Sequence, residues 1–169
     1  DFSKRYSKKA SEEARKESDP KRKEQLEEIA RICYRVPEHP PETLHEALQF
    51  FWFITLIKGQ IEFCNLGGGG RFDILFNPFY EKDISEGRIT RQEAVELMQY
   101  LFVHFEESGE WFSPMITGIY GGVQQLEGLT IGGLDENGND VTNDMTYITL
   151  EAGKGLRQLQ PTIALRVHK

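Results

Sequence analysis

The sequence predicts a helix-rich α/β protein, and three observations carry that prediction. Apolar residues recur at helical spacing over two stretches, Leu26-Ile29-Ala30-Cys33 and Ala94-Leu97-Met98-Leu101-Phe102-Phe105. Short β-rich runs, Leu129-Thr130-Ile131 and Pro161 to Val167, follow in the last third. Between the helical blocks stand four consecutive glycines, Gly67 to Gly70, and then Arg71-Phe72-Asp73. Glycine loses more backbone freedom on folding than any other residue, so four in a row need a reason: positive φ, close approach of another backbone, or close approach of a ligand. They read as a loop squeezed between buried elements.

The elements follow in chain order. Residues 2–18 are charged, with Phe2, Tyr6, Ala10 and Ala14 at helical spacing, a weak face that suits a helix lying on a larger body. Asp19-Pro20 starts the next helix as N-cap and N1. Its stripe contains Cys33, which reads as a small buried hydrophobe. Three prolines in Val36 to Pro41 break the helical pattern. Thr43-Leu-His-Glu46 matches a capping box. The helix it opens runs through Phe50-Phe51-Trp52-Phe53-Ile54, apolar on nearly all sides, and so is expected to be buried all round. His45 in its first turn reads as a polar residue at the surface end, with no H-E-x-x-H pattern to make it a metal ligand. Pro78 to Glu86 predicts a short helix ended by Gly87, and Thr90-Arg-Gln-Glu93 a second capping box before the 94–105 stripe. His104 lies just off that stripe and is expected to be half exposed. Trp111 to Gln125 is irregular. Asp135 to Gly138 carries an Asn-Gly turn signal, and Thr142-Asn143 caps a helix with Met145, Ile148, Thr149 and Ala152 inward.

The totals bound the function. At 169 residues, 38% hydrophobic and 28% charged, the chain fits a soluble globular protein. Net charge is −7, which argues against wholesale nucleic-acid binding. Residues 1–38 hold 11 Lys+Arg against 9 Asp+Glu with interleaved signs, the look of a solvated helix face. The longest apolar run, Ala47 to Ile57, falls well short of the roughly 20 residues of a membrane span. The two cysteines, Cys33 and Cys64, form no C-x-x-C, and a reducing cytoplasm is the expected compartment. With no Met at its start and a β-prone segment at its end, the chain is expected to be an internal piece of a longer protein.

Sites of known chemistry are mostly excluded. Asp135-x-Asn137-x-Asn139 imitates a calcium loop, but Asp140 stands where glycine is required and Thr146 where Glu is required. No Gly-Lys-Ser/Thr follows the glycines, and aromatic residues stand where a phosphate-binding helix should begin. No nucleophile elbow or Cys–His pattern assembles. Arg71 and Asp73 read as a buried ion pair with a structural task. No metal ligands are expected.

Several phrases in register resemble the glycyl radical enzymes of the pyruvate formate-lyase type, in particular the dehydratase and lyase branch. They are Arg35-Val-Pro37 with Pro41, Leu44-His-Glu-Ala-Leu-Gln-Phe-Phe-Trp-Phe53, Gly70-Arg-Phe-Asp73, Pro78-Phe-Tyr-Glu-Lys-Asp83, Ile131-Gly-Gly-Leu-Asp135 with Gly138-Asn-Asp140, and Gln160-Pro161. The resemblance runs from about residue 5 to 169. It implies that residues 1–169 are part of one helix-wrapped, ten-stranded α/β barrel domain. It also implies a backbone glycyl radical, installed by an activating enzyme that uses S-adenosylmethionine and an iron–sulfur cluster. That radical draws a hydrogen from a cysteine, which then acts on a small organic substrate in a dry barrel. A homodimeric parent is expected, with no nucleic acid or membrane partner.

The departures from the family pattern shape the expected function. The family's cysteine loop and its Arg-Val-x-Gly-aromatic motif lie beyond the equivalent of Lys169, and neither Cys33 nor Cys64 matches the catalytic cysteine, so this chain alone is not expected to be active. Many dehydratase-type members carry Gly-His-Ser just before Gly-Arg-Phe-Asp; here those places hold Cys64, Asn65 and Leu66. By resemblance Asn65 and Leu66 face substrate, with Gly70, Arg71 and Asp73 as structural residues nearby. Asn does not titrate and Leu offers no hydrogen bond, so diol dehydration gives way to a different lyase or decarboxylase substrate. The competing readings are a non-catalytic α/β scaffold derived from the family, and a nucleotide module built on the glycine loop. A free-standing piece is expected to expose large apolar patches and to self-associate.

Overall fold

The structure, a computed structural model, describes residues 1–61, 69–107, 114–115, 118, 128–156, 158 and 161–168. The chain divides after Phe53 into two units.

In the first unit, α1 (Phe2–Ala14) packs along α2 (Pro20–Arg35). The face of α1 that is buried is Ser3, Ser7, Ala10 and Ala14. Phe2 and Tyr6, expected on that face, sit to one side and cover Phe53, with ring centroids 5.8 and 5.6 Å away. The helix ends at Ala14 rather than near residue 18. Pro20 disfavours helical geometry at Asp19, which is extended, and the Glu17 carboxylate accepts the Ser18 and Asp19 N–H groups. Asp19 caps α2 as expected, taking the Lys21 N–H at 3.1 Å. Leu26 and Ile29 are half-buried, and Ile32 joins Ala30 and Cys33 in the core. Burial pushes the Cys33 thiol up to about 11, so it stays protonated and inert. The chain leaves α2 through the cis Val36–Pro37 peptide.

α3 (Leu44–Leu56) opens with half of the expected capping box. Glu46 N–H donates to Thr43 Oγ1 at 3.2 Å, but the Glu46 carboxylate takes the Glu42 N–H at 2.9 Å instead of that of Thr43. It is pulled there because it also accepts Arg31 Nη1 at 3.0 Å and Arg35 Nε at 3.3 Å. Burial opposes ionisation of Glu46, yet these donors outweigh it and hold the carboxyl below the usual range. His45 is half-buried, not at the surface, and burial lowers its pKa. The helix is not buried all round: Phe50, Phe51 and Trp52 are half-buried and Ile54 is exposed.

In the second unit a π-helical turn, Ile57–Ile61, continues from α3. Next described is the strand-like edge Gly69–Arg71, which turns directly into α4 (Phe72–Ser85). The short helix expected at Pro78 is therefore corrected: it begins six residues earlier, with Pro78 in its interior. Proline there removes the N–H that would bond the Ile74 carbonyl, which lies on an exposed stretch open to water. Gly87 ends the region with Arg88 N–H returning to the Asp83 carbonyl. The Thr90–Glu93 box before α5 (Arg91–Glu107) is complete in both directions, at 3.2 and 2.7 Å. Ala94, Val95, Met98, Leu101, Phe102 and Phe105 are buried, and His104 is exposed.

β1 (Gly128–Gly132) and β2 (Thr162–Arg166) pair in parallel, in register Gly128 with Thr162 through Gly132 with Arg166. The crossover contains the turn Leu134–Asp140 and α6 (Asp144–Gly155), which packs on α4 and α5. Asn143 caps α6 in a reciprocal box with Thr146. Parallel strands need such a crossover, which is why the β-rich runs lie so far apart in sequence. Leu129 and Ile131 are buried, as are Phe72, Phe76, Met98, Phe102, Met145 and Ile148 of the same unit. β2 leaves Leu165 exposed, as is Val167 just after it. Among the described residues no helix is long and apolar enough to cross a membrane.

Candidate functional site

The strongest polar constellation in the second unit forms where β1 ends. Gly69 N–H donates to the Gly128 carbonyl at 2.9 Å, and Thr130 N–H to the Gly70 carbonyl at 3.0 Å. The glycine segment expected as a loop thus ends as a third parallel edge, bridged Arg71 to Thr130. Gly70 is needed there for its φ of +58°, not for space, since a Cβ would meet nothing within 4 Å.

Parallel rungs are evenly spaced, so the next acceptor along this edge, for the Gly132 N–H, would be the Phe72 carbonyl. The chain has already turned into α4 at that point. The Asp73 carboxylate takes its place: Gly132 N–H donates to Oδ2 at 2.6 Å. The same oxygen accepts Thr146 Oγ1–H at 2.6 Å, and Oδ1 takes the Ile74 N–H at 2.9 Å. Thr146 accepts the Asn143 N–H at 3.1 Å through its hydroxyl oxygen, which commits its own hydrogen to Asp73. Asp73 is wholly buried. It stands in the first turn of α4 and faces the first turn of α6, so two helix N-termini favour its negative charge.

Arg71 works from the other side. Its Nη2 donates to the Gly132 carbonyl at 2.7 Å and Nη1 to the Leu134 carbonyl at 3.4 Å. The expected Arg71–Asp73 ion pair is therefore corrected. The two side chains do not bond each other; they hold the two sides of one residue, Asp73 accepting the Gly132 N–H and Arg71 donating to the Gly132 carbonyl. A Cβ on Gly132 (φ +67°) would lie 3.1 Å from the Arg166 carbonyl, so glycine lets β2 close on this corner.

The structure thus brings together Gly70, Arg71 and Asp73. Cys64, Asn65 and Leu66 lie outside the described residues, as does most of Trp111 to Gln125. Sequence reasoning missed Gly132 and Thr146. The signal for Thr146 was its place at N3 after the Asn143 cap, where a hydroxyl can return to the N-cap backbone. The Asp135 carboxylate is taken up by Asn137 N–H, Asn139 N–H and Asn139 Nδ2 of its own turn, in keeping with a turn rather than a calcium loop. Among the described residues no three His, Cys, Asp or Glu side chains gather as metal ligands.

Comparison with known proteins matches the whole chain, residues 1–169, to the family described as pyruvate formate lyase-like. An isethionate sulfite-lyase of Nitratidesulfovibrio vulgaris is 41% identical over 170 residues, covering 99% of this chain and 20% of that protein. The crystal structure of a glycyl radical enzyme from Archaeoglobus fulgidus superposes with a TM-score of 0.89 at 39% identity, over 98% of this chain and 21% of that one. A structure concerned with 1,2-propanediol dehydration in Roseburia inulinivorans gives 0.94 at 35% identity, over 98% and 20%. The chain spans about a fifth of the length of the curated relatives it matches. Its helix-rich body and small parallel sheet are a portion of the α/β barrel of these enzymes. The chain belongs to the pyruvate formate lyase-like family.

Proposed function

We propose that this chain is a segment of a glycyl radical lyase that cleaves a bond in a small organic substrate other than a simple diol. The carrying observation is the family match along all of residues 1–169; the resemblance puts Cys64-Asn65-Leu66 where many dehydratase-type members carry Gly-His-Ser. Asn65 and Leu66 are the substrate-facing positions in this reading. A side chain able to move a proton is replaced by an amide, and a hydroxyl by an alkyl group, so a substrate hydroxyl loses both its proton partner and a hydrogen-bond partner. The 41% identity to an isethionate sulfite-lyase favours carbon–sulfur cleavage of a short sulfonate as the first chemistry to try.

Residues 1–169 form part of one barrel domain in this reading, and the reactive cysteine and radical glycine lie outside them. The glycyl radical, installed by an S-adenosylmethionine-dependent activating enzyme, supplies one-electron bond cleavage. This chain supplies wall and framework: it lines the pocket at Asn65 and Leu66 and holds a corner of the sheet through Gly70, Arg71 and Asp73. A cytoplasmic homodimer is the expected setting.

The test is the intact protein, co-produced with its activating enzyme without oxygen and given isethionate, glycerol and 1,2-propanediol separately. Sulfite release from isethionate is the expected result. Efficient dehydration of glycerol or 1,2-propanediol to an aldehyde would sink the substrate reading.

A further inference from the structure

We infer that the groove between α1 and α2 is a self-association face, which seats the same groove of a second copy across a two-fold axis. This deepens the homodimeric setting given above by naming its surface, and it stands on residues of the first unit alone.

Side chains on this face are small in the middle and long at the edges. Ser7, Ser11 and Ala14 of α1, at i, i+4 and i+7, and Ala30 of α2 floor a cavity of about 450 Å3. Arg15 stands on one wall, and Glu27, Arg31 and Tyr34, again at i, i+4 and i+7, on the other. Packed interiors leave few gaps of this size, so a groove with this floor is open to an occupant. Ser7 is only 8% exposed, yet among the described residues its hydroxyl meets no hydrogen-bond partner. A buried hydroxyl left without a partner costs free energy, and an occupant that supplied one would recover it. Arg15 and Glu27, both exposed, likewise have no ion-pair partner among the described residues. Small-molecule sites enclose most of their ligand, whereas the walls Arg15, Glu27, Arg31 and Tyr34 are all exposed, Tyr34 at 64%, which suits a protein surface instead.

The occupant that fits is the groove of a second copy. α1 and α2 are antiparallel: a short link joins Ala14 to Pro20, and Lys4 near the start of α1 lies over the Tyr34 ring near the end of α2, 5.5 Å from its centroid. A two-fold axis along the groove sets α1 of one copy against α2 of its partner, and every adjacent pair in the resulting four-helix bundle is antiparallel. The same operation exchanges the walls. Arg15 then faces the partner's Glu27, and Glu27 the partner's Arg15, so two unlike charges that are unpaired in one copy become two ion pairs in the dimer. The partner's Tyr34 comes to the level of Ser7, where its ring fills the small floor and its phenol offers that hydroxyl a partner. Large walls beside a small floor thus complement a second copy in shape as well as in charge.

The test is sedimentation equilibrium of the intact protein, which needs neither activation nor substrate and so stands apart from the substrate reading. Arg15 and Glu27 are exposed, so their variants are expected to fold. Arg15→Glu and Glu27→Arg should each weaken the dimer about 100-fold, because each sets like charges face to face twice. The two changes combined should return it to within about fivefold of wild type. Tyr34→Ala should weaken it about 30-fold. Ser7→Ala should weaken it about fivefold without lowering the melting temperature of protein diluted to monomer, because the hydroxyl it deletes has no partner there. A monomeric wild type would overturn this inference and the homodimeric setting together. A dimer untouched by both single charge reversals would overturn the groove as its face while leaving a dimer standing. A combined variant no better than the single ones would overturn the pairing of Arg15 with Glu27, and with it the two-fold seam. Open chains of copies in place of dimers would mean head-to-tail contact and would do the same.

Discussion

Glu46 in the first unit and Asp73 in the second are both buried carboxylates with several donors, and the two are stabilised by opposite means. Glu46 in the first unit is met by two guanidinium groups, Arg31 and Arg35, and one backbone N–H. Among the described residues, Asp73 in the second unit is met by neutral donors, two backbone N–H groups and a hydroxyl, at the mouths of two helices. The cations around Glu46 retain access to water: the Arg31 side chain is 51% exposed and that of Arg35 29%. Two of the donors around Asp73, the Gly132 N–H and the Thr146 hydroxyl, belong to buried residues, with Thr146 1% exposed. The difference teaches that the number of donors does not set the cost of losing a buried acceptor. What matters is whether those donors can turn to solvent afterwards.

The largest effect should therefore come from Asp73→Ala. It strands the Gly132 N–H in a core that water does not reach and leaves Thr146 without its acceptor. A loss of about 3 kcal/mol in local stability is expected, since a buried donor to a charged group is left bare. Hydrogen exchange at Gly132 in the intact protein should rise by about 100-fold or more. An increase under about tenfold would mean that the corner can relax or admit water, and the contrast with Glu46 would collapse.

Glu46→Ala should cost less, about 2 kcal/mol, because Arg31 keeps its bonds to Glu28 and Arg35 keeps Glu42 and the Pro40 carbonyl. The Glu42 N–H loses its acceptor outright, and exchange there should quicken about 30-fold. Acid sharpens the same point. The folded pKa of Glu46 lies below its ordinary value of 4.5, so its contribution is complete above pH 4.5 and is lost as pH falls through the folded value. His45 adds a separate window. Its pKa is lowered by burial, so the unfolded chain takes up a proton first, and stability declines as pH drops below the ordinary 6.5. Protection in the first turn of α3, taken relative to the intrinsic amide exchange rate at each pH, should thus fall in two steps on acidification, and His45→Gln should remove the upper one. A single step in the wild type would contradict the assignment.

Local signals were legible wherever the chemistry is short-range. The Asp19 cap, the Thr90–Glu93 box, the stripe of α5 and the Asn143 cap can all be read from residues three or four apart, because capping and periodicity act over that distance. Two readings failed for tertiary reasons. Pro78 looked like a first helical residue, but α4 starts where the chain leaves the sheet, and an exposed carbonyl lets the helix tolerate an interior proline. Arg71 and Asp73 looked like partners because opposite charges two residues apart invite pairing. Their real partners, the Gly132 peptide and Thr146, lie about 60 to 70 residues further on, and no local pattern can announce a side chain that stands in for a missing strand rung. The family phrases fared better because they carry the long-range solution already worked out, with Gly70-Arg-Phe-Asp73 and Ile131-Gly-Gly as its two halves.

The smallest effect tests how far ordinary capping explains the second unit once its buried carboxylate is set aside. Thr90→Ala removes one side of a box that is complete and solvent-exposed. The orphaned Glu93 N–H can turn to water, and the Glu93 carboxylate can still reach the Thr90 N–H. A loss of about 1 kcal/mol is expected, seen as roughly fivefold faster exchange in the first turn of α5 and nowhere else. Asn143 in α6 makes a box of the same form, but its N3 partner is Thr146, whose hydroxyl hydrogen belongs to Asp73. Asn143→Ala should therefore exceed Thr90→Ala, because loosening that turn also draws on the Asp73 rung. Equal effects at the two caps would mean that Thr146 holds Asp73 independently of the helix start, and that the corner depends on β1 and α4 alone.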